Sequence, residues 1–408
     1  MKYFLGAAVY VAISIAIVGL TIYPDSYLYF NSASVMFTDN FAGGYQFVRE
    51  PGYPLMIKFI LFFVESFNFR FDFMLIGMQS AMLFFSGVAL LKAFNVRLTK
   101  SNLLIFIISV LNPVYISLSG QLLQTTSLIF CTSICAYCIS LTMEKSELIK
   151  KEYLFIGIST TFSYLIGLQV GILFIMPILL ITIKKIVSST EGKNFRYEIL
   201  LITSILSIVS LWQIFKTSEL EVSDKRNSVL VANSYDLISL NTFKIDSTDL
   251  LTFQNVMSLN LKQLSEIEIL ARNALGGNEC GVWYPTGEAY TASVMAEKIS
   301  SKCRDGLLRN INNELIDFGM IFYRFITTFY LIGIIFCLFT RKWRFFLIST
   351  PAMFLHLEYT LINFNVDRYG APLYLFGVLN FAIIFSSVTR NLKSFFINSY
   401  YKSRDKSI

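Results

Sequence analysis

Charged and histidine side chains are scarce in this sequence. Only 15% of its 408 residues are charged, against about 25% in soluble domains, and the chain contains one histidine. It has no Walker loop, no Gly-rich dinucleotide fingerprint and no HExxH pair. The single histidine argues against a His-rich metal site. The sequence therefore predicts no specific cofactor, and only a carboxylate-bound divalent cation stays open.

Apolar residues are correspondingly abundant in this sequence. Hydrophobic residues make up 55% of the chain, and the mean hydropathy is +0.59. Apolar runs recur at about the 20-residue length that crosses a hydrocarbon core. The sequence predicts an all-α polytopic membrane protein with about ten transmembrane helices. The predicted spans are residues 4–23, 72–93, 102–119, 121–142, 153–167, 168–185, 197–215, 319–339, 345–363 and 370–389.

Two of these spans have alternatives. The fifth and sixth are short, and together they are compatible with a broken hairpin. The first could instead be a cleaved signal peptide. Its charged n-region is only Lys2, however, and no small-x-small cleavage site precedes Pro24. We therefore expect the first span to remain in the mature chain.

The basic residues predict the orientation. The net charge of +7 indicates cytoplasmic loops rather than a nucleic-acid site, and no DNA- or RNA-binding signature is present. If the N-terminus is inside and the spans alternate, each basic cluster falls on the inner side. We therefore expect both termini in the cytoplasm. These clusters lie at residues 92–100, 145–151, 184–196, 341–344 and 390–406.

Two segments then lie outside and divide the chain. Residues 1–215 form an N-terminal transmembrane module with a first outer loop at 24–71. Residues 216–318 carry 14 acidic and 10 basic side chains, net −4, which leaves +11 on the remainder. We expect them to form a small folded periplasmic cap, because so long a linker is uncommon. Residues 319–408 form a C-terminal transmembrane module with a basic tail.

The cap contains two cysteines, Cys280 and Cys303. An oxidising outer compartment favours a disulfide between them. Such a bridge would stabilise the cap by about 3 kcal/mol in the chain-entropy model. Two free thiols are the alternative. The other four cysteines lie in apolar spans, where small apolar packing residues are expected.

The first outer loop begins with an acid and two tyrosines. Asp25 directly follows the first span, and Tyr27 and Tyr29 lie beside it. A single charged residue at this depth is often an interface anchor, because water is available there. Asp39 is a second carboxylate in the same loop.

The same loop ends in a cation beside two prolines. Arg49 and Glu50 precede the Pro-Gly-Tyr-Pro stretch at residues 51–54. An apolar helix, predicted at about residues 53–67, follows. It is too short and too charged to span comfortably, so we expect it to lie along the membrane surface. An ion pair between Arg49 and Glu50 is the alternative to a binding role.

This loop resembles the first periplasmic loop of GT-C glycosyltransferases, which are integral membrane enzymes that use polyprenyl-phosphate sugars. In that superfamily an acid follows the first span, and a basic-x-Pro-x-x-Pro-like segment leads into a surface helix. The matching residues here are Asp25, Tyr27, Arg49, Pro51, Gly52, Tyr53 and Pro54.

A second resemblance lies near the C-terminus. Many members have a His in the penultimate span and an Arg-Tyr-x-x-Pro at the outer start of the last one. His356, Arg368, Tyr369 and Pro372 match, and Glu358 lies close to the His. The chain departs from the family in having Gln124, Thr125 and Thr126 where members often have a Glu, and Gln169 where they often have an Arg.

The resemblance implies specific roles. A carboxylate takes the proton of the attacking hydroxyl, and Asp25 is the candidate base, with Asp39 in reserve. Arginine binds phosphate in fork geometry, which implies that Arg49 and Arg368 meet the departing lipid phosphate. The implied substrate-binding residues are Tyr27, Tyr29, Glu50, Tyr53, His356, Glu358 and Tyr369.

The implied function is inverting transfer of a sugar, with glucose preferred, from a polyprenyl-phosphate donor. The acceptor would be a lipid-linked O-antigen or another surface glycan at the periplasmic face of a bacterial inner membrane. The size and plan are similar to those of bacterial and phage O-antigen glucosyltransferases. An O-antigen polymerase acting on diphosphate-linked repeats is the alternative, and a polytopic lipid or glycan transporter is third. Membrane lipids are the other expected partners.

Overall fold

The protein forms a bundle of helices, as the apolar composition predicts. The computed structural model describes residues 2–22, 24–38, 50–95, 100–145, 148–187, 201–207, 209–211, 214, 271–272, 275, 281–282, 313–362, 371–385 and 388. Within these ranges, the helices before residue 118 are α1 (Lys2–Ile17), α2 (Pro24–Val35), α3 (Gly52–Phe67), α4 (Phe71–Ala93), α5 (Lys100–Val110) and α6 (Pro113–Ser117). A 3-10 turn at Leu118–Gly120 follows α6.

Further helices follow the 3-10 turn in the described part of the chain. They are α7 (Thr125–Glu144), α8 (Lys150–Ile166), α9 (Leu168–Leu173), α10 (Ile175–Val187), α11 (Leu201–Leu211), α12 (Asn313–Phe339), α13 (Trp343–Ile362) and α14 (Ala371–Phe385). Two short strands, β1 (Thr21–Ile22) and β2 (Gly281–Val282), pair in parallel. The prediction of a helical protein is confirmed.

The described residues support fewer membrane spans than the sequence predicted. Three helices are long and apolar enough to cross a membrane, namely α4, α7 and α12. A bent pair, Leu103–Val110 with Pro113–Gly120, is a fourth if it is counted as one span. The apolar parts of α1, α10, α11 and α14 are shorter. Ten full-length spans are therefore not supported by the part of the chain that is described.

The predicted straight span at 102–119 is instead bent by 49° between Val110 and Pro113. Pro113 has no backbone N–H and begins a new helix, α6. The Asn112 side chain accepts a hydrogen bond from the Val114 N–H at 2.9 Å and donates to the Gly319 carbonyl at 2.9 Å. The Tyr374 hydroxyl donates to the Ser109 carbonyl at 2.8 Å. Protein groups therefore satisfy the backbone around the break.

A separate cap is not supported by the described residues of the 216–318 segment. Ala271 and Leu275 are buried in the same hydrophobic core as the helices. Arg272 forms an ion pair with Asp317 in the first turns of α12. This helix begins at Asn313, six residues before the predicted start at 319. The apolar side chains of Ala271 and Leu275 therefore pack against the helical bundle.

One end of the bundle is closed by basic and aromatic residues. Phe94 after α4 stacks on Phe345 of α13 with ring centroids 5.8 Å apart. Arg344 pairs with Glu144 at the end of α7, and Lys145 pairs with Glu152 at the start of α8. These contacts join the C-terminal ends of α4 and α7 to the N-terminal ends of α13 and α8.

Candidate functional site

The two helices of the first loop, α2 and α3, pack against each other. Tyr29 of α2 and Tyr53 of α3 make an edge-to-face contact with ring centroids 4.9 Å apart and planes at 80°. Both rings are almost completely buried. Farther along, Lys58 Nζ donates to the Ser34 carbonyl at 3.3 Å. The structure therefore brings together two of the predicted substrate-binding residues, and it does so through burial.

The prolines determine where α3 begins. Pro51 is the N-cap residue, with φ −78°, and Pro54 lies in the first turn, where the missing N–H removes no helical hydrogen bond. The helix ends at Asn68, which adopts the left-handed conformation with φ 54°. The predicted helix at about 53–67 is thus confirmed as a helix.

Glycine allows α3 to approach a neighbouring helix end. A Cβ atom on Gly52 would lie 2.7 Å from the Leu165 carbonyl carbon and oxygen at the end of α8. Real Cβ atoms do not come so close to backbone, so only glycine fits without a shift. The Pro-Gly-Tyr-Pro stretch is therefore a docking point on the bundle as well as a helix start.

Gln79 of α4 connects this pair of helices to the bundle. Its Nε2 donates to the Tyr53 hydroxyl at 3.1 Å and to the Gln121 carbonyl at 2.9 Å. Its Oε1 accepts from Thr126 Oγ1 at 2.6 Å. The side chain is completely buried, and its amide joins α3, α4, α7 and the turn that precedes α7.

Burial determines the state of the Tyr53 phenol. Desolvation, followed by the nearby Tyr29, raises the pKa of Tyr53 well above its ordinary value, and the hydrogen bond from Gln79 opposes this only in part. The hydroxyl is therefore neutral at any physiological pH. Its hydrogen bond from Gln79 and its contact with Tyr29 make Tyr53 a structural link between α2, α3 and α4.

The turn between the 3-10 helix and α7 contacts the start of α2. Ser26 Oγ donates to the Leu122 carbonyl at 2.6 Å, and the Leu122 N–H donates to the Thr21 carbonyl at 3.0 Å. A Cβ on Gly120 would lie 2.1 Å from the Gly19 carbonyl oxygen, so the two backbones touch there. The start of α2 is therefore held against residues 120–122.

The predicted site residues fall into three groups. Tyr29 and Tyr53 are in contact, whereas Glu50 lies two residues before α3 and His356 lies on α13, both half-buried. The backbones of Asp25 and Tyr27 lie in α2 and that of Glu358 in α13, but their side chains are outside the described part. The calls that fall wholly outside the described residues are Asp39, Arg49, Arg368, Tyr369, Cys280 and Cys303.

Sequence reasoning missed Gln79 and Gln121, and it named Thr126 only as a departure from the family pattern. A signal for Gln79 was present, because it is an amide in an otherwise apolar predicted span. Polar side chains in such spans commonly form hydrogen bonds between helices. Hydropathy gave no comparable signal for Gln121, which begins a predicted span, where polar residues are ordinary.

The described residues contain no group of three or more His, Cys, Asp or Glu side chains that could hold a metal ion. Cys131, Cys135, Cys138 and Cys337 are buried with free thiols, as expected for packing residues.

The chain has no counterpart among the proteins with which it was compared. No family model matches it, no curated protein sequence matches it, and no solved structure matches it.

Proposed function

We propose that this chain is a membrane glycosyltransferase of the GT-C type. It transfers a sugar, with glucose preferred, from a polyprenyl-phosphate donor to a lipid-linked glycan, with inversion. One observation supports this function best: the first loop folds into two helices that are joined at Tyr29 and Tyr53 and anchored to the bundle through Gln79. That arrangement places the first turn of α2, with Asp25, beside residues 120–122.

In this proposal one carboxylate acts as the base and two arginines bind the leaving phosphate. Asp25 takes the proton from the acceptor hydroxyl as that oxygen attacks the anomeric carbon. The bond from the anomeric carbon to the phosphate oxygen breaks, and the phosphate leaves with its electron pair. Arg49 and Arg368 bind the developing charge in fork geometry.

The charge distribution supports an outward-facing site. The end of the bundle opposite the Tyr29–Tyr53 contact carries Lys92, Lys145, Arg341, Lys342 and Arg344. Positive residues mark the cytoplasmic side of membrane proteins. We therefore place the site at the periplasmic face of the inner membrane, with both termini in the cytoplasm.

An O-antigen polymerase is the second candidate, because it would need the same kind of outer site for lipid-linked glycans. A transporter ranks third. In transporters, half-helix ends and unwound carbonyls bind substrates and ions. At the described helix break the backbone groups already have protein partners, because the Tyr374 hydroxyl donates to the Ser109 carbonyl and the Asn112 side chain accepts from the Val114 N–H.

The test is the surface polysaccharide of cells with and without the gene, together with purified full-length protein. Loss of a side-branch sugar indicates decoration, and collapse to one repeat per lipid core indicates the polymerase. Asp25→Asn should lower transfer at least a hundredfold, since a general base contributes about 10²–10⁴. Donor binding and expression should survive.

Asp39→Asn is the matched control in the same loop, and it should have a milder effect on transfer. Near-normal transfer by the Asp25 variant and none by the Asp39 variant would make Asp39 the base. Full activity in both would contradict the proposed function.

A further inference from the structure

Thr21 lies in the middle of a short row of backbone pairings. It pairs with Gly281 of β2 on one side and forms a parallel bridge with Gln121 on the other. Residues paired across neighbouring strands project to the same face. The side chains of Thr21 and Gln121 therefore share a face, and Gly281 adds no side chain to it.

This row contains buried polar atoms without partners. Thr21 Oγ1, Gln121 Nε2 and, one turn later, Thr125 Oγ1 have no hydrogen-bond partner among the described residues. All three side chains are at most 2% exposed. Buried polar groups in native proteins are nearly always paired, because an unpaired one destabilises the fold.

In the described part of this region, most other buried polar side chains are paired, with the exception of Ser80 Oγ on α4. Ser26, Gln79, Ser119 and Thr126 lie in the same region, and each makes a hydrogen bond of 3.1 Å or less. The fold therefore pairs most polar side chains here, yet it leaves those of Thr21, Gln121 and Thr125 with an atom that has no partner among the described residues. A bound ligand that supplies the missing partners would account for them.

We propose that Thr21, Gln121 and Thr125 bind the hydroxyl groups of the donor sugar. This inference rests on the function proposed above and names the sugar-recognising part of its site. The three groups are neutral, which suits hydroxyls rather than a phosphate. An amide N–H₂ donates to a sugar oxygen, and each threonine hydroxyl both donates and accepts.

The position fits a sugar that reacts near Asp25. Asp25 follows Thr21 by four residues, and Ser26 is bonded to Leu122, the neighbour of Gln121. β2 covers Thr21 through only two residue pairs, and so short a pairing is weak by itself. Separation of this pairing would uncover one side of Thr21.

The test measures binding of two kinds of lipid to the full-length protein in detergent. One probe is undecaprenyl phosphate, and the other is a panel of undecaprenyl phosphates that carry glucose, galactose or mannose. The wild type should bind at least one sugar-bearing lipid more tightly than the bare phosphate. Gln121→Leu and Thr125→Val should each weaken the preferred lipid by about fivefold to tenfold and leave the bare phosphate unchanged.

Stability separates a binding role from a structural one. Removing an unpaired buried group should leave the melting temperature unchanged or raise it. Thr132→Val on α7 is the matched control, because Thr132 Oγ1 already donates to the Leu128 carbonyl at 2.7 Å. It should leave the sugar preference intact and should not raise the melting temperature.

The outcomes distinguish the two proposals. A wild type that binds none of these lipids would contradict the proposed function itself. A wild type that prefers a sugar-bearing lipid, with the same preference in both variants, would overturn only the sugar site. Equal affinity for bare and sugar-bearing lipids, or a large fall in melting temperature for both variants, would also overturn it.

Discussion

Gln79 offers the sharpest test of how the first loop is held on the bundle. Its amide makes three hydrogen bonds, to the Tyr53 hydroxyl, the Gln121 carbonyl and Thr126 Oγ1. Gln79→Leu keeps a similar volume and removes all three. We expect the variant to unfold more easily and α3 to loosen from α4.

The magnitude follows from which partners are left unpaired. The Gln121 carbonyl keeps a hydrogen bond from the Leu123 N–H at 2.7 Å, so its loss is small. The Tyr53 hydroxyl and Thr126 Oγ1 each lose this buried partner. An unsatisfied buried group costs about 1–3 kcal/mol, although hydrogen bonds measured within membranes average only about 0.6 kcal/mol. We therefore expect a loss of about 2–4 kcal/mol in the free energy of unfolding.

The adjacent residue supplies the control. Ser80 lies on the same helix and is equally buried, yet its Oγ has no partner among the described residues. Ser80→Ala should therefore leave stability unchanged or raise it. Both variants are to be unfolded chemically in mixed micelles, alongside Tyr53→Phe and the double variant with Gln79→Leu.

Coupling between Gln79 and Tyr53 identifies the hydrogen bond itself. If the bond stabilises the protein, the two single effects will not add, and the coupling will exceed about 0.5 kcal/mol. Additive effects within that margin would refute a direct link between α3 and α4 through this amide. A Gln79→Leu variant no less stable than Ser80→Ala would refute the whole network.

Two further predictions concern residues known here only from the sequence. Ala at Arg49 or Arg368 should weaken binding of undecaprenyl phosphate, and Lys should rescue it poorly, because an ammonium lacks the guanidinium fork. Unchanged lipid affinity in folded variants of both residues would count against the phosphate role. Cys280 and Cys303 should resist alkylation until a reductant is added, and free labelling of both thiols without reductant, in protein isolated from the oxidising compartment, would exclude the bridge.

Hydropathy and turn chemistry predicted the helical class and the start of α3 well. Apolar runs of span length need internally satisfied backbone, which helices provide, and Pro51 with Pro54 marks a helix start in any setting. The bend at Asn112 and Pro113 escaped prediction, because a hydropathy window averages over a break. Proline in an apolar run was the available signal, and it carries meaning only with the capping Asn112 beside it.

The site was harder to predict, because its contacts join distant parts of the chain. Ser26 meets Leu122 across 96 positions of sequence, and Gln79 meets Gln121 across 42. Local pattern contains no information on such pairs. The family resemblance predicts a functional role for the first loop, and that stays a prediction. The Gln79 amide that anchors this loop became visible only in three dimensions.

The anchoring of α2 bears directly on the choice of base. A catalytic group must be held within a fraction of an ångström of its productive position, and sites on rigid elements achieve this best. Residues of α2 are fixed at three levels: Ser26 to the Leu122 carbonyl, Tyr29 against the Tyr53 ring, and the Ser34 carbonyl to Lys58. Asp25 immediately precedes the first of these contacts, so its backbone is positioned by the bundle itself. This favours Asp25 as the base. It predicts that Ser26→Ala, which removes the hydrogen bond to the Leu122 carbonyl, will lower sugar transfer more than it lowers donor binding.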